Sequence, residues 1–191
     1  TGTPTLGVGV GNVPSIIDIS ANLDEASNKI IISKTFDNST SCSSENSIIV
    51  IDKIYKKFIS ILIKKGGVLL NKKEKNILQK KLWNEKNILN RDLIAKKSSE
   101  IARLVNFKKK KYLKLKILMV EEEGVGNEYP FSKEKLSPIL TVYKVKNFND
   151  ATKLAKKILL NQGLGHSCSI HSQNEKNILK LGLELPVCRI I

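Results

Sequence analysis

Short apolar runs rich in Ile, Val and Leu alternate along this chain with stretches of helical period. SIIDI at 15–19 and SIIVI at 47–51 are β-branched and too short for helices, so they read as buried strands. Runs at 115–120, 138–145, 165–171 and 187–191 have the same character. Between them the apolar residues fall three and four apart. Leu23, Ala26, Ile30 and Ile31 mark a helix over 23–35 that Asn22 can cap. Ile54, Phe58, Ile61 and Leu62 mark another over 53–65, stopped by Gly66 and Gly67. Helices are likewise expected over 72–83, 92–105, 149–160 and 175–183. Roughly six strands alternating with helices predict an α/β fold with a largely parallel open sheet and flanking helices. No repeat or linker interrupts the pattern, so residues 1–191 read as one domain.

The same sequence excludes several classes of protein. No apolar run approaches bilayer length, and the start TGTPTLGVGV lacks the basic-then-apolar order of a signal peptide. A soluble cytoplasmic chain without a membrane partner is expected. The chain starts in mid-pattern and ends on CRII, which reads as an unfinished strand, so a piece of a longer protein is expected. The net charge of +15 invites a nucleic-acid reading. Its lysines, however, are scattered through stretches such as NKKEKNILQKKLW, and aromatic residues make up only 5%, too few for base stacking. A solvated basic surface with no nucleic-acid partner is the better reading. Cys42, Cys168 and Cys188 are an odd set with no CxxC and no histidine at zinc spacing. Reduced thiols and no metal are expected.

Two segments carry chemistry. In GVGVGN the glycines Gly7, Gly9 and Gly11 are spaced G-x-G-x-G, and Pro14 with a strand follows where a dinucleotide loop needs a helix. A tight, backbone-dense loop beside a reactive centre fits better. In SKTFDNSTSCSSENSIIVID, Cys42 is flanked by Ser41, Ser43, Ser44 and Asn46, small or polar groups that leave a thiol accessible. A helical turn there would present N–H groups that favour a thiolate and a neighbouring oxyanion. On these residues alone a nucleophile and a buried structural thiol are both open readings. Sheets of this kind place functional loops beyond the carboxyl ends of their strands, whereas the Cys42 segment precedes a strand.

TLGVGVGNVPSIID, SKTFDNSTSCSSENSIIVID, FSKEKLSPILTVYKVKNFNDA and GLGHSCSIH resemble, in order and spacing, the CoA-acylating branch of the aldehyde dehydrogenase superfamily. The resemblance runs along nearly the whole chain and implies the family's catalytic domain. It places the nucleophilic cysteine at Cys42 and the glutamate that accepts from the nicotinamide ribose at Glu134, with Pro138 fixing the turn into the next strand and Gly9 and Gly11 in the cofactor-side loop. His166 resembles a histidine near the acyl or CoA side of the site; a hydrogen-bonded structural role is the alternative. His171 reads as surface, and Asn12 as a pocket-shaping or turn residue. The hydrolytic branch carries a glutamate base at the position of Val8, 34 residues before Cys42. Valine cannot activate water, in agreement with a thioester passed to CoA.

The implied reaction takes an aldehyde, coenzyme A and NAD or NADP to an acyl-CoA, reversibly, through a Cys42 thioester. The family's nucleotide-binding domain and carboxyl-terminal pairing segment find no counterpart in these residues. The 191 residues alone are therefore expected to turn over little, and a homo-oligomer is expected of the full-length protein. The CSSENS wording leans towards sulfoacetaldehyde, with acetaldehyde beside it. The rival reading is a non-catalytic basic binding or assembly module, or a relic that keeps the fold.

Overall fold

The computed structural model describes residues 2, 9–108, 110–112 and 114–191. Val8 and Gly7 lie outside the described residues. The chain runs β1 (Val13–Ile17), α1 (Leu23–Thr35), β2 (Glu45–Ile51), α2 (Asp52–Lys64), β3 (Gly67–Leu69), α3 (Lys72–Leu82), α4 (Ser98–Leu104), β4 (Ile117–Glu121), β5 (Ile139–Val145), α5 (Phe148–Asn161), β6 (Gly165–His171), α6 (Glu175–Glu184) and β7 (Val187–Ile190). The seven strands form one sheet in the order β3-β4-β5-β2-β1-β6-β7. Every pairing is parallel.

Period-two alternation explains why the strand sequences are apolar throughout. Ile17, Ile48, Val50, Met119, Leu140 and Val142 face one side and pack with Ile30 of α1 and Phe58 and Leu62 of α2. Their neighbours Ile16, Ile49 and Tyr143 face the other side, against Ala151, Ala155 and Ile158 of α5 and Leu181 of α6. On that same side Leu118, Val120 and Ile139 meet Leu78 of α3, Ile101 of α4 and Phe131. The Phe131 ring stands edge-on to Trp83 with centroids 4.9 Å apart. The result is a three-layer α/β/α arrangement with both sheet faces covered, as the apolar runs predict.

Asparagine starts four of the helices. The side chains of Asn22, Asn71, Asn147 and Asn174 each accept a first-turn backbone N–H, satisfying donors that a helix start leaves without partners. Two expectations need correction. The single helix over 92–105 is broken: a short turn at Arg91–Leu93 precedes α4, and Ala95 takes φ +58°. The Ala95 N–H donates to the Leu136 carbonyl at 3.0 Å, so a tertiary contact draws the chain out of helical geometry. β3 was hidden behind the glycine stop, because three residues are too few to show a period. Among the described residues no helix is long and apolar enough to cross a membrane.

Candidate active site

The sequence-predicted residues gather at the amino ends of four adjacent strands, the opposite end from the usual ligand crevice of an open parallel sheet. Gly11 leads into β1, Cys42 into β2, Glu134 and Pro138 into β5, and His166 lies at the start of β6.

Cys42 is exposed, at the tip of a reverse turn closed by the Ser44 N–H donating to the Ser41 carbonyl at 3.0 Å. The helical turn that would favour a thiolate does not form in regular geometry around it. Instead Asp37, Asn38 and Ser39 take left-handed conformations, with φ of 46°, 50° and 65°. Asp and Asn tolerate that region better than most residues. Among the described residues nothing accepts from the Cys42 N–H. Cys168, by contrast, is fully buried, and burial pushes its thiol up to about 12, which makes it inert. Cys188 is exposed and donates to the His166 carbonyl at 2.9 Å.

Gly11 touches the backbone of Cys42 so closely that a side chain there would overlap the Cys42 carbonyl oxygen and lie 3.1 Å from its carbonyl carbon and Cβ. This is the close approach expected of the glycine loop. Gly9 is exposed with open space around it. The Gly11 backbone N–H faces the Glu134 carboxylate and favours its charged form, which brings the glycine loop, the cysteine turn and the segment before β5 together. Burial holds the Glu134 carboxyl above its ordinary range, opposed by Lys135, Gly11 and Lys34. Gln162, just past α5, accepts the Glu134 backbone N–H at 2.7 Å. Pro138 is buried and its carbonyl accepts from the Leu118 N–H at 3.0 Å, a placement that fits a turn-fixing residue.

Asn12 is fully buried beneath the site. Its amide donates to the Ser132 carbonyl at 2.8 Å and its oxygen accepts from Asn46. Asn46 donates in turn to the Lys133 carbonyl at 2.7 Å. This clasp of two amides joins β1, β2 and the β5 approach, and only the Asn12 half was considered from sequence. The β1–β6 pairing sets Ser15 opposite Ser169, so three residues earlier His166 is level with Asn12. His166 therefore lies on the far side of β1 from Cys42, about 10 Å away by strand spacing. Its Nδ1 is buried without a hydrogen-bond partner among the described residues.

Sequence reasoning missed two buried lysines. Lys34 and Lys135 are 1% and 0% exposed. Lys34 donates to Ser39 Oγ at 2.7 Å, and burial draws its pKa down to about 7 against the pull of Glu45 and Glu134. Lys135 donates to the carbonyls of Phe131 and Lys133 at 2.8 and 3.0 Å and to Thr141 Oγ1 at 3.1 Å. Burial, with Lys34 beside it, holds its amine well below the ordinary lysine range. Glu45 is raised, mainly by burial. A signal for Lys34 existed: Ser27, Ile30, Ile31 and Lys34 share the spacing of the buried face of α1.

His171, expected at the surface, is instead half-buried at the opposite end of β6, its imidazole lowered chiefly by burial and then by Lys29. Nearby, Asp18 is buried after β1 and accepts from Ser20, Ser172 and Asn177, tying loops at that end. Among the described residues no group of His, Cys, Asp and Glu could hold a metal ion.

No family model matches the chain. It is 47% identical over 190 residues to a sulfoacetaldehyde dehydrogenase (acylating) of Cupriavidus necator, covering 100% of this chain and 38% of that protein. An acetylating aldehyde dehydrogenase from Geobacillus thermoglucosidasius superposes with a TM-score of 0.93 at 41% identity, over 99% of this chain and 41% of that one. A propionaldehyde dehydrogenase from Rhodopseudomonas palustris, solved with propionyl-CoA, gives 0.87 at 25% identity over 100% of this chain and 41% of that one. An engineered glycolyl-CoA reductase, solved with NADP+, gives 0.87 at 25% identity over 99% and 42%. The chain thus spans about two fifths of the length of the relatives it matches. Over all of its own length, in sequence and in fold, it is homologous to the CoA-acylating aldehyde dehydrogenases.

Proposed function

We propose that this chain is the catalytic domain of an enzyme that converts an aldehyde, coenzyme A and NAD(P)+ to an acyl-CoA and NAD(P)H, reversibly, through a thioester on Cys42. The observation that carries this reading is the convergence of an exposed Cys42, the Gly11 backbone and the Glu134 carboxylate at one end of the sheet.

The Cys42 sulfur, as thiolate, adds to the aldehyde carbon. The carbonyl oxygen gains charge in that step, and the N–H of Cys42, which no described residue accepts, is a donor suited to receive it. A nicotinamide dinucleotide, NAD or NADP, would accept the hydride whose departure turns the adduct into a thioester. The chain fits that group on its own terms. Glu134 is half-buried and faces the Gly11 N–H, and its carboxylate has acceptor capacity for both hydroxyls of a ribose. Gly11, lacking a side chain, keeps the approach to Cys42 low.

The CoA sulfur then attacks the thioester carbon and Cys42 leaves as thiolate. His166, across β1 with a buried Nδ1 that has no partner among the described residues, is suited to the acyl or CoA side of that exchange. The structural neighbour solved with propionyl-CoA supports the thiol acceptor, and the one solved with NADP+ supports the dinucleotide. Val8 in place of a glutamate supports transfer to CoA over hydrolysis. The 47% identity to a sulfoacetaldehyde dehydrogenase favours a small sulfonated aldehyde, with acetaldehyde second.

The whole reaction belongs to a full-length protein; the 191 residues alone are expected to turn over little. The test is nicotinamide reduction by the full-length protein across a panel of small aldehydes, with and without CoA. Turnover that requires CoA is expected, fastest with sulfoacetaldehyde. Turnover without CoA that yields free acid contradicts the assignment.

A further inference from the structure

Nothing in the proposed chemistry uses Lys34, yet a buried ammonium is among the costliest groups a fold can hold. Its surroundings give it a definite task. Lys34 Nζ donates to Ser39 Oγ at 2.7 Å, Ser39 Oγ and Ser44 Oγ are 3.0 Å apart, and Ser44 Oγ donates to the Ser33 carbonyl at 3.3 Å. Ser44 has one hydroxyl proton, directed at Ser33, so Ser39 must be the donor to Ser44. The chain of bonds therefore runs one way, from Lys34 through Ser39 and Ser44 to the Ser33 carbonyl. It starts and ends on the last turn of α1. In between it crosses both feet of the loop that carries Cys42 at its tip.

That loop needs a brace. Asp37, Asn38 and Ser39 are left-handed in succession, a conformation that L residues disfavour, so local preference does not hold the loop in shape. The charged groups facing Lys34 are Glu45 of β2 and Glu134 and Lys135 of the segment before β5. Both carboxylates favour its charged form; burial opposes them and prevails, bringing Lys34 to about 7. An ammonium can only donate, whereas the neutral amine can also accept from Ser39 and let the chain reverse. The brace has a single direction only while Lys34 keeps its proton.

We propose that Lys34 is the positioning residue of the Cys42 loop, bracing both its feet through Ser39 and Ser44 and so holding the nucleophile's turn in reactive shape. The proposal rests on the reading of Cys42 as nucleophile, but its test needs neither CoA nor a nicotinamide, so the two can fail separately. The measurement is the rate of Cys42 alkylation by iodoacetamide in the protein with Cys188→Ser, with Lys34 or Lys34→Met, at about pH 6 and about pH 9. The Lys34→Met rate is expected roughly three- to tenfold below the parent at the lower pH, the scale of one net hydrogen bond. At the higher pH, where Lys34 has lost its proton in the parent too, the two rates should agree within about twofold. Equal rates at both pH values, or the same depression at both, overturn the proposal. Ser39→Ala removes one hydroxyl and little packing; should Lys34→Met fail to fold, it carries the same expectation and the same contradiction.

Discussion

Lys34→Met should make the protein more stable near neutral pH while making its nucleophile less reactive. The fall of the Lys34 pKa from 10.5 to about 7 corresponds to about 5 kcal/mol, at about 1.4 kcal/mol per pH unit. In the unfolded chain the amine stays charged up to its ordinary pKa, while in the folded chain it loses its proton near 7. Between these limits the unfolded state binds more protons, so parent stability rises with pH. Below 7 both states are charged and the full cost of burying the ammonium is present. Met buries no charge, so the variant lacks the Lys34 share of this rise. Its advantage near pH 6 is reduced by about 1 kcal/mol for the donor that Ser39 loses. Removing Lys34 also relieves Lys135 of a like charge, which adds a smaller gain of the same sign. Urea unfolding of parent and variant at intervals from about pH 6 to pH 9.5 reads the difference. That range stays below the ionisation of Tyr55, Tyr112 and Tyr143, all raised, mainly by burial. The expected result is a variant more stable by several kcal/mol at the acid end, with the gap closing as pH rises. Two curves that run parallel across the range would refute the argument.

Gly11→Ala pushes a methyl into the Cys42 carbonyl, and contact at ordinary carbon separation requires the turn to move by roughly 1 Å. A displacement of that size at a reacting atom costs about 100-fold, so kcat should fall by that order while the melting temperature changes little. Steady-state kinetics beside a thermal melt check it. Glu134→Gln keeps the shape but halves the acceptor character of the group proposed to meet the ribose. KM for the nicotinamide should rise about tenfold while the Cys42 alkylation rate stays within about twofold. Rates measured on the same preparation separate the two effects.

The fold was largely legible because each apolar strand lies in a parallel sheet covered on both faces, which forces runs such as SIIVI to be apolar at every position. The asparagine before α1 was legible for the same kind of local reason, its amide oxygen accepting the Glu25 N–H. The break at Ala95 was not, because its cause is a bond to Leu136, 41 positions along. In the site, Cys42 stood out by its small polar neighbours, and the glycine loop was recognised as a place of close approach. The lysines were hidden for a physical reason. Lysine is ordinarily a surface residue, and in a chain of charge +15 two buried ones cannot be told from the rest by composition. Only the helical phase of Lys34 betrayed it.

The central claim is that Cys42 carries the acyl group. Incubating the protein with an acyl-CoA and no reduced nicotinamide, then measuring the mass of the cysteine peptides, tests it directly. The account predicts one acyl adduct on the Cys42 peptide, released by hydroxylamine and absent from Cys42→Ala. An adduct on the Cys188 peptide instead, or on no peptide of a folded full-length protein, would contradict it.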